Sequence, residues 1–172
     1  YASYTRAKTS DINDLVAYLR SLPAVKKPNA ENDIGFPFNI RARLGGWKLL
    51  FLNDAYVVEG DLSAEQSRGR YLVEALGHCA ECHTPRNLIG GLDKNKWLAG
   101  APNPSGKGRI PDLRPASLKW SARDIASYLK TGLTPEYDSA GGEMTAVIQN
   151  ISQLPDSDRD AIASYLLLLE DE

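Results

Sequence analysis

Residues 77 to 87 read GHCAECHTPRN, and six consecutive positions of this stretch hold both cysteines and both histidines of the 172-residue chain. Cys79 and Cys82 stand one helical turn apart, and His83 directly follows the second thiol. This is the C-x-x-C-H arrangement that bonds a haem covalently. The two thiols add across the two vinyl groups of a rigid ring, and the histidine swings beneath the iron as its proximal ligand. Other uses of the same side chains fit less well. Zinc wants four converging ligands, whereas His78-Cys79 and Cys82-His83 are adjacent pairs that crowd one another. A thioredoxin-type redox pair expects a strand before the motif and a helix opening at it. A plain disulfide leaves His83 without a role. His78, beside a cysteine committed to the ring edge, reads as a solvated or hydrogen-bonding residue and not as a second ligand.

Upstream of the motif, Ser63 and Gln66 have the spacing of a capping box, and Leu72, Val73, Ala75 and Leu76 form the buried face of the helix it opens. That helix runs straight into the motif. Downstream, residues 85 to 119 are rich in Gly, Pro and Asn and read as mostly loop. Ser121 then caps a helix with Ile125, Tyr128 and Leu129 inward, and Ser157 caps another with Ile162, Tyr165, Leu166 and Leu169 inward. At the other end, Ser10 is the expected N-cap of a helix carrying Ile12, Leu15, Val16, Leu19 and Leu22 on one face, with Pro23 as its stop. Residues 23 to 60 (Pro28, Asn29, Gly35, Pro37, Gly45, Gly46) read as a linker with one short apolar helical piece from Trp47 to Phe51. Strand signals are weak throughout, so the expected fold is all-α.

The sixth position on the iron needs a second donor. Met144 is the only methionine, about sixty residues past His83, in Gly141-Gly142-Glu143-Met144. A thioether favours the reduced iron and raises the potential, and the two glycines let the backbone bend to aim it. The plainer role for a single methionine is to fill a gap in the core. Two protein ligands would close the iron to substrate and disfavour peroxide or oxygen chemistry.

Composition is ordinary for a globular chain, with 42% hydrophobic residues, 24% charged and a net charge of −2, so nothing global points to nucleic acid. The charge is segregated. Residues 1 to 85 carry ten basic and ten acidic side chains, 86 to 123 eight and two, and 124 to 172 two and ten. The tract from Arg86 to Arg123 is a candidate patch for steering an acidic redox partner; the same lysines can also be simply solvated. No apolar stretch approaches the roughly 20 residues of a membrane-spanning helix, and the first residues do not form an export signal, which is expected to have been removed or to lie upstream.

One internal echo stands out. Residues 10 to 19, SDINDLVAYL, align with residues 157 to 166, SDRDAIASYL, at an offset of 147. Either two capped amphipathic helices resemble each other by composition, or the first helix ends a preceding repeat unit.

With Gly69 and Tyr71 ahead of the motif, Trp120-Ser121 opening the next helix and Gly141-Gly142-Glu143-Met144 before a terminal helix, residues 61 to 172 resemble a class I c-type cytochrome domain. The stretches RGRYLVEALGHCAECHTPRN, IPDL, DIASYLKTGLTPEYDSAGGEM and LPDSDRDAIASYLLLL resemble, more closely, the multihaem cytochrome c subunits of bacterial periplasmic alcohol, sugar-acid and aldehyde dehydrogenases. YLRSLPAV followed by ENDIGFPFNIRARLGGWKLLF is similar to the segment joining consecutive haem domains there. The resemblance implies one covalent haem c, thioether links at Cys79 and Cys82, and axial ligands His83 and Met144. It further implies a Pro111 carbonyl that accepts the other N–H of His83, Leu113 packed on the haem, and Trp120 and Arg109 as candidate propionate contacts. It divides the chain into a helix at 1–22 left from a preceding haem domain, an interdomain linker at 23–60 and a cytochrome c domain at 61–172. The part before residue 61 has no C-x-x-C-H, so the chain is expected to be the C-terminal piece of a protein with at least two haems.

The function implied is single-electron relay in the periplasm. A dehydrogenase is the expected donor, and another cytochrome or a terminal oxidase the expected acceptor. No acid/base pair or activated nucleophile is visible, so the chain is not read as an enzyme by itself. Two other readings remain: a docking or scaffold subunit using the Trp47 to Phe51 region, and a haem enzyme with a labile Met144.

Overall fold

The computed structural model describes residues 2–36, 39–104 and 106–170; Pro37, one of the linker residues named above, lies outside them. The described residues form eight α-helices, with one antiparallel pair of two-residue strands. This is the all-α architecture expected.

The scaffold is the crossing of α3 (Ala64–Tyr71) with α8 (Asp156–Leu166), against which α6 (Ala122–Thr131) also packs. α3 opens on the predicted capping box: Ser63 Oγ accepts from the Gln66 N–H and the Gln66 side chain accepts from the Ser63 N–H. Gly69 lets the helices touch. A Cβ there would sit 1.9 Å from the Ala161 carbonyl oxygen and 2.7 Å from the Tyr165 Cβ, so α8 lies directly on bare backbone. A bidentate ion pair locks the crossing, with Arg68 Nε and Nη2 each 2.8 Å from Asp158. Around it Leu72, Val73, Trp97, Leu98, Ile125, Leu129, Ile162, Tyr165 and Leu166 form the core.

The first departure from expectation is that α3 does not run straight into the motif. Residues Leu72–Leu76 widen into a π-helical turn, closed by the Gly77 N–H on the Leu72 carbonyl at 2.6 Å. His78 then takes a left-handed backbone, φ 38°, before α4 (Ala80–His83) begins. The loop from 84 onward contains more structure than its composition suggests: a 3₁₀ turn at Lys94–Lys96, strands β1 (Ala101–Pro102) and β2 (Arg109–Ile110) in register Ala101↔Ile110, and α5 (Pro115–Leu118). α6 has the predicted cap, Ser121, in a capping box with Asp124.

α7 (Glu143–Ile151), which carries Met144, was not among the helices read from periodicity. It has no side-chain cap, and although Met144, Val147, Ile148 and Ile151 keep helical spacing, its nine residues hold that pattern for little more than two turns. Two caps are displaced. α8 starts after Pro155, leaving Ser157 in its first turn, and α1 (Thr9–Ser21) starts after Lys8, where Ser10 Oγ donates to its neighbour Asp11. α1 buries none of its residues. In the 23 to 60 stretch the helical piece is longer than Trp47 to Phe51, running as α2 (Arg43–Phe51).

Candidate functional site

The motif turn follows from local geometry. Cys79 is the N-cap of α4, and a helical turn brings Cys79, Cys82 and His83 to one side while Glu81 points the other way. His83 is buried, and its Nδ1 donates to the Pro111 carbonyl at 2.8 Å. That bond commits the Nδ1 proton and leaves the lone pair on Nε2 for a metal. Burial holds the imidazole pKa below its ordinary value despite the Pro111 contact, so the ring stays neutral, as a ligand must be. Burial also pushes the Cys79 thiol up to about 11, which suits a residue consumed in a thioether bond better than a reactive thiolate.

The loop that delivers Pro111 is tied down at several points. The Gly100 N–H donates to the His83 carbonyl at 2.7 Å and Leu113 N–H to the Leu98 carbonyl at 2.9 Å, while buried Thr84 accepts from the Leu98 N–H at 2.9 Å. At Gly100 (φ 75°) a side chain would collide with the backbone of Ile110, Pro111 and Asp112, so glycine is what permits the loop to fold over His83. Beyond Pro111, burial raises the Asp112 carboxyl, but hydrogen bonds from Arg114 and Ser117 outweigh it and hold the group below its ordinary value.

Of the remaining sequence-predicted residues, Met144, Leu113 and Trp120 are half-buried against the core, and the Trp120 ring meets Tyr128 edge-on at 5.2 Å. Arg109 is exposed on β2. His78 is engaged elsewhere: its Nε2 lies 3.1 Å from the Tyr4 hydroxyl, with the two rings edge to face. The donor set fits a haem, with two thiols on one turn, a neutral buried imidazole fixed by its far nitrogen, and a thioether available from α7.

Reading the sequence missed Glu74. Its carboxylate is buried beneath the motif and accepts from the Val57 N–H at 2.7 Å, the Val58 N–H at 3.2 Å and the Tyr165 hydroxyl at 2.8 Å, with Arg6 Nε at 3.8 Å. Trp97 Nε1 donates to Tyr165 at 3.2 Å. Burial and the nearby Glu74 charge push the Tyr165 hydroxyl far above its ordinary value, so it remains a donor. The available signal was a lone charge inside the otherwise apolar Leu72–Leu76. Also unforeseen is the N-terminal segment, which reaches the back of the motif turn through Ser3, donating to Glu81 at 3.0 Å, and Tyr4.

Comparison with known proteins bears on this geometry. The pattern of the cytochrome c family matches residues 66–170. Over 166 residues, 96% of this chain, it is 58% identical to a "Diheme cytochrome c-type" protein of Cereibacter sphaeroides, covering 56% of that protein. It is 38% identical to the fructose dehydrogenase cytochrome subunit of Gluconobacter japonicus, covering 35% of it, and 32% identical to the cytochrome c subunit of the quinone alcohol dehydrogenase of Gluconobacter oxydans, covering 37%. In both cases 96% of this chain is aligned. The chain thus spans about half the length of the first relative and about a third of the other two. Among the described residues no helix is long and apolar enough to cross a membrane.

Proposed function

The chain belongs to the cytochrome c family, and from that premise we propose that residues 61 to 172 form a one-haem electron-relay domain of a periplasmic dehydrogenase system. Cys79 and Cys82 would attach the haem, and His83 and Met144 would hold its iron. Such a group supplies reversible one-electron chemistry at its iron. The chain's own residues supply the rest. Pro111 orients His83 through the 2.8 Å hydrogen bond, which is the observation that carries the reading. Leu113 and Trp120 would shield the ring, Met144 would tune the potential, and Arg109 would offset a propionate. The hydrogen bonds from Gly100 to the His83 carbonyl and from Leu113 to the Leu98 carbonyl would keep reorganisation small during transfer.

The donor on this reading is a dehydrogenase subunit, by analogy with the relatives' names, and the acceptor another cytochrome or a terminal oxidase. Residues 1 to 22 are the closing helix of a preceding haem domain and 23 to 60 the connection between the two, supported by the echo between α1 and α8 and by the diheme relative. The test is a spectrum of the purified chain in both redox states, with haem counted per polypeptide after acidified organic solvent. Pigment that the solvent strips away refutes covalent attachment. Met144→Ala should lower the potential and open the ferrous form to carbon monoxide. Carbon monoxide binding as readily to the unaltered chain would favour a haem enzyme instead.

A further inference from the structure

Residues Asn87 to Gly90 form a β-turn, closed by the Gly90 N–H on the Asn87 carbonyl at 3.0 Å. Its two corner residues are Leu88 and Ile89, where exposed turns ordinarily carry Gly, Asn, Asp or Ser. Leu88 is fully exposed (106%) and Ile89 is 58% exposed. The turn is rigidly built: Asn87 Oδ1 accepts from the Ile89 and Gly91 N–H groups at 3.1 and 3.0 Å, and Arg86 donates to the Gly90 carbonyl at 2.8 Å. α2 is joined to it, since Trp47 Nε1 donates to the Ile89 carbonyl at 3.1 Å and the Phe51 ring lies against Gly91. On α2 the neighbouring Leu49 and Leu50 are exposed at 87% and 69%. The result is a preformed aliphatic prominence on two adjoining elements; Arg41 and Arg43, where α2 begins, and Lys94 and Lys96, a few residues past the turn, are exposed cations. The chain's excess acid lies instead on and after α6, so the charge is polarised.

We infer that this prominence, α2 with the 87–90 turn, is an interfacial anchor that seats the domain on an anionic lipid surface. Aliphatic side chains inserted to the headgroup boundary, an indole at their base and cations around them are the parts such an anchor requires. A protein interface is the competing use, but its energetic centre is usually an aromatic or arginine anchor filling a pocket, whereas here leucine and isoleucine project from a convex tip. The motif turn adjoins the prominence through the Arg86–Glu81 ion pair. Seating it therefore keeps the motif turn close to the surface where a membrane-bound electron acceptor sits. Only that purpose rests on the relay reading; the binding itself does not.

The test is co-sedimentation of the holo-chain with vesicles of phosphatidylcholine alone and with about a third phosphatidylglycerol, read by protein stain. Binding to the anionic vesicles should weaken as salt rises, and Leu88→Glu with Ile89→Glu should lower the partition coefficient by about tenfold. Tyr137→Glu with Ser139→Glu, the same charge change on two exposed residues of a different loop, should leave it unchanged. Leu49→Glu serves as a second variant should the first fail to fold. No sedimentation with either vesicle overturns the anchor and leaves the prominence to a protein partner; equal binding by wild type and both glutamate variants overturns the assignment to this surface. A colourless chain that still binds defeats the relay reading alone.

Discussion

α1 and α8 share one amphipathic pattern over ten aligned positions, four of them identical, yet they end in opposite environments. In α8 the apolar face, Ile162, Ala163, Tyr165 and Leu166, is buried against α3. Its counterparts in α1 at the 147-residue offset, Leu15, Val16, Tyr18 and Leu19, are all exposed. The pattern is the same and only the partner differs. An amphipathic helix states a demand for a covering surface; what meets it in α8 is the bare backbone at Gly69, with the Arg68–Asp158 pair beside it.

The sharpest way to break the comparison is to spoil that meeting point. Gly69→Ala should destabilise the holo-chain by about 3 kcal/mol in chemical denaturation, because the added Cβ meets backbone that cannot step aside. The same added bulk at Ala17 of α1 should change stability by no more than about 0.5 kcal/mol. Next in size, Leu166→Ala should cost about 2–4 kcal/mol and Leu19→Ala almost nothing. If Leu19→Ala became comparably costly in a longer natural chain, α1 would have found an α3-like partner there, as proposed for residues 1 to 22.

A smaller effect concerns the ion pair. The Asp158 pKa lies below its ordinary value, first through the hydrogen bonds from Arg68, against the opposing effect of burial. A depressed carboxyl pKa contributes stability above its unfolded value of about 4 that is lost as pH falls through the lower folded value. Asp158→Asn should therefore cost at most about 1 kcal/mol near neutrality, since Arg68 is partly exposed, and should flatten the acid limb of a stability profile below about pH 4. An effect of similar size is expected at the caps. Ser121→Ala should lose about 1 kcal/mol in thermal unfolding, whereas Ser10→Ala should lose little, because Ser10 bonds a neighbouring side chain and caps nothing.

Those last two serines show which features could be read in advance. The capping box at Ser63 is complete within four residues and was read from sequence, as was the cap at Ser121, whose reciprocal bond with Asp124 the structure added. Ser157 has Asp160 in the same relation as Ser121 has Asp124, and Ser10 has Asn13 there, yet the helices at those two serines begin at other positions. The C-x-x-C-H turn was legible because its chemistry is held in five consecutive residues. Glu74 was not, because the groups that satisfy it come from residues 6, 57, 58 and 165. The π-turn at Leu72–Leu76 and the left-handed His78 were equally hidden, since neither has a residue-type signature.

What the residues settled unaided was chemical and local: the kind of cofactor turn, the capping box at Ser63 with the cap at Ser121, and the apolar faces that call for cover. Which faces were covered, which carbonyl received the His83 proton and which carboxylate was taken into the interior depended on parts of the chain brought together from tens of residues apart. A side chain's type limits the bonds it can make, but burial and partner geometry decide which of them are made, and those exist only once the helices have packed.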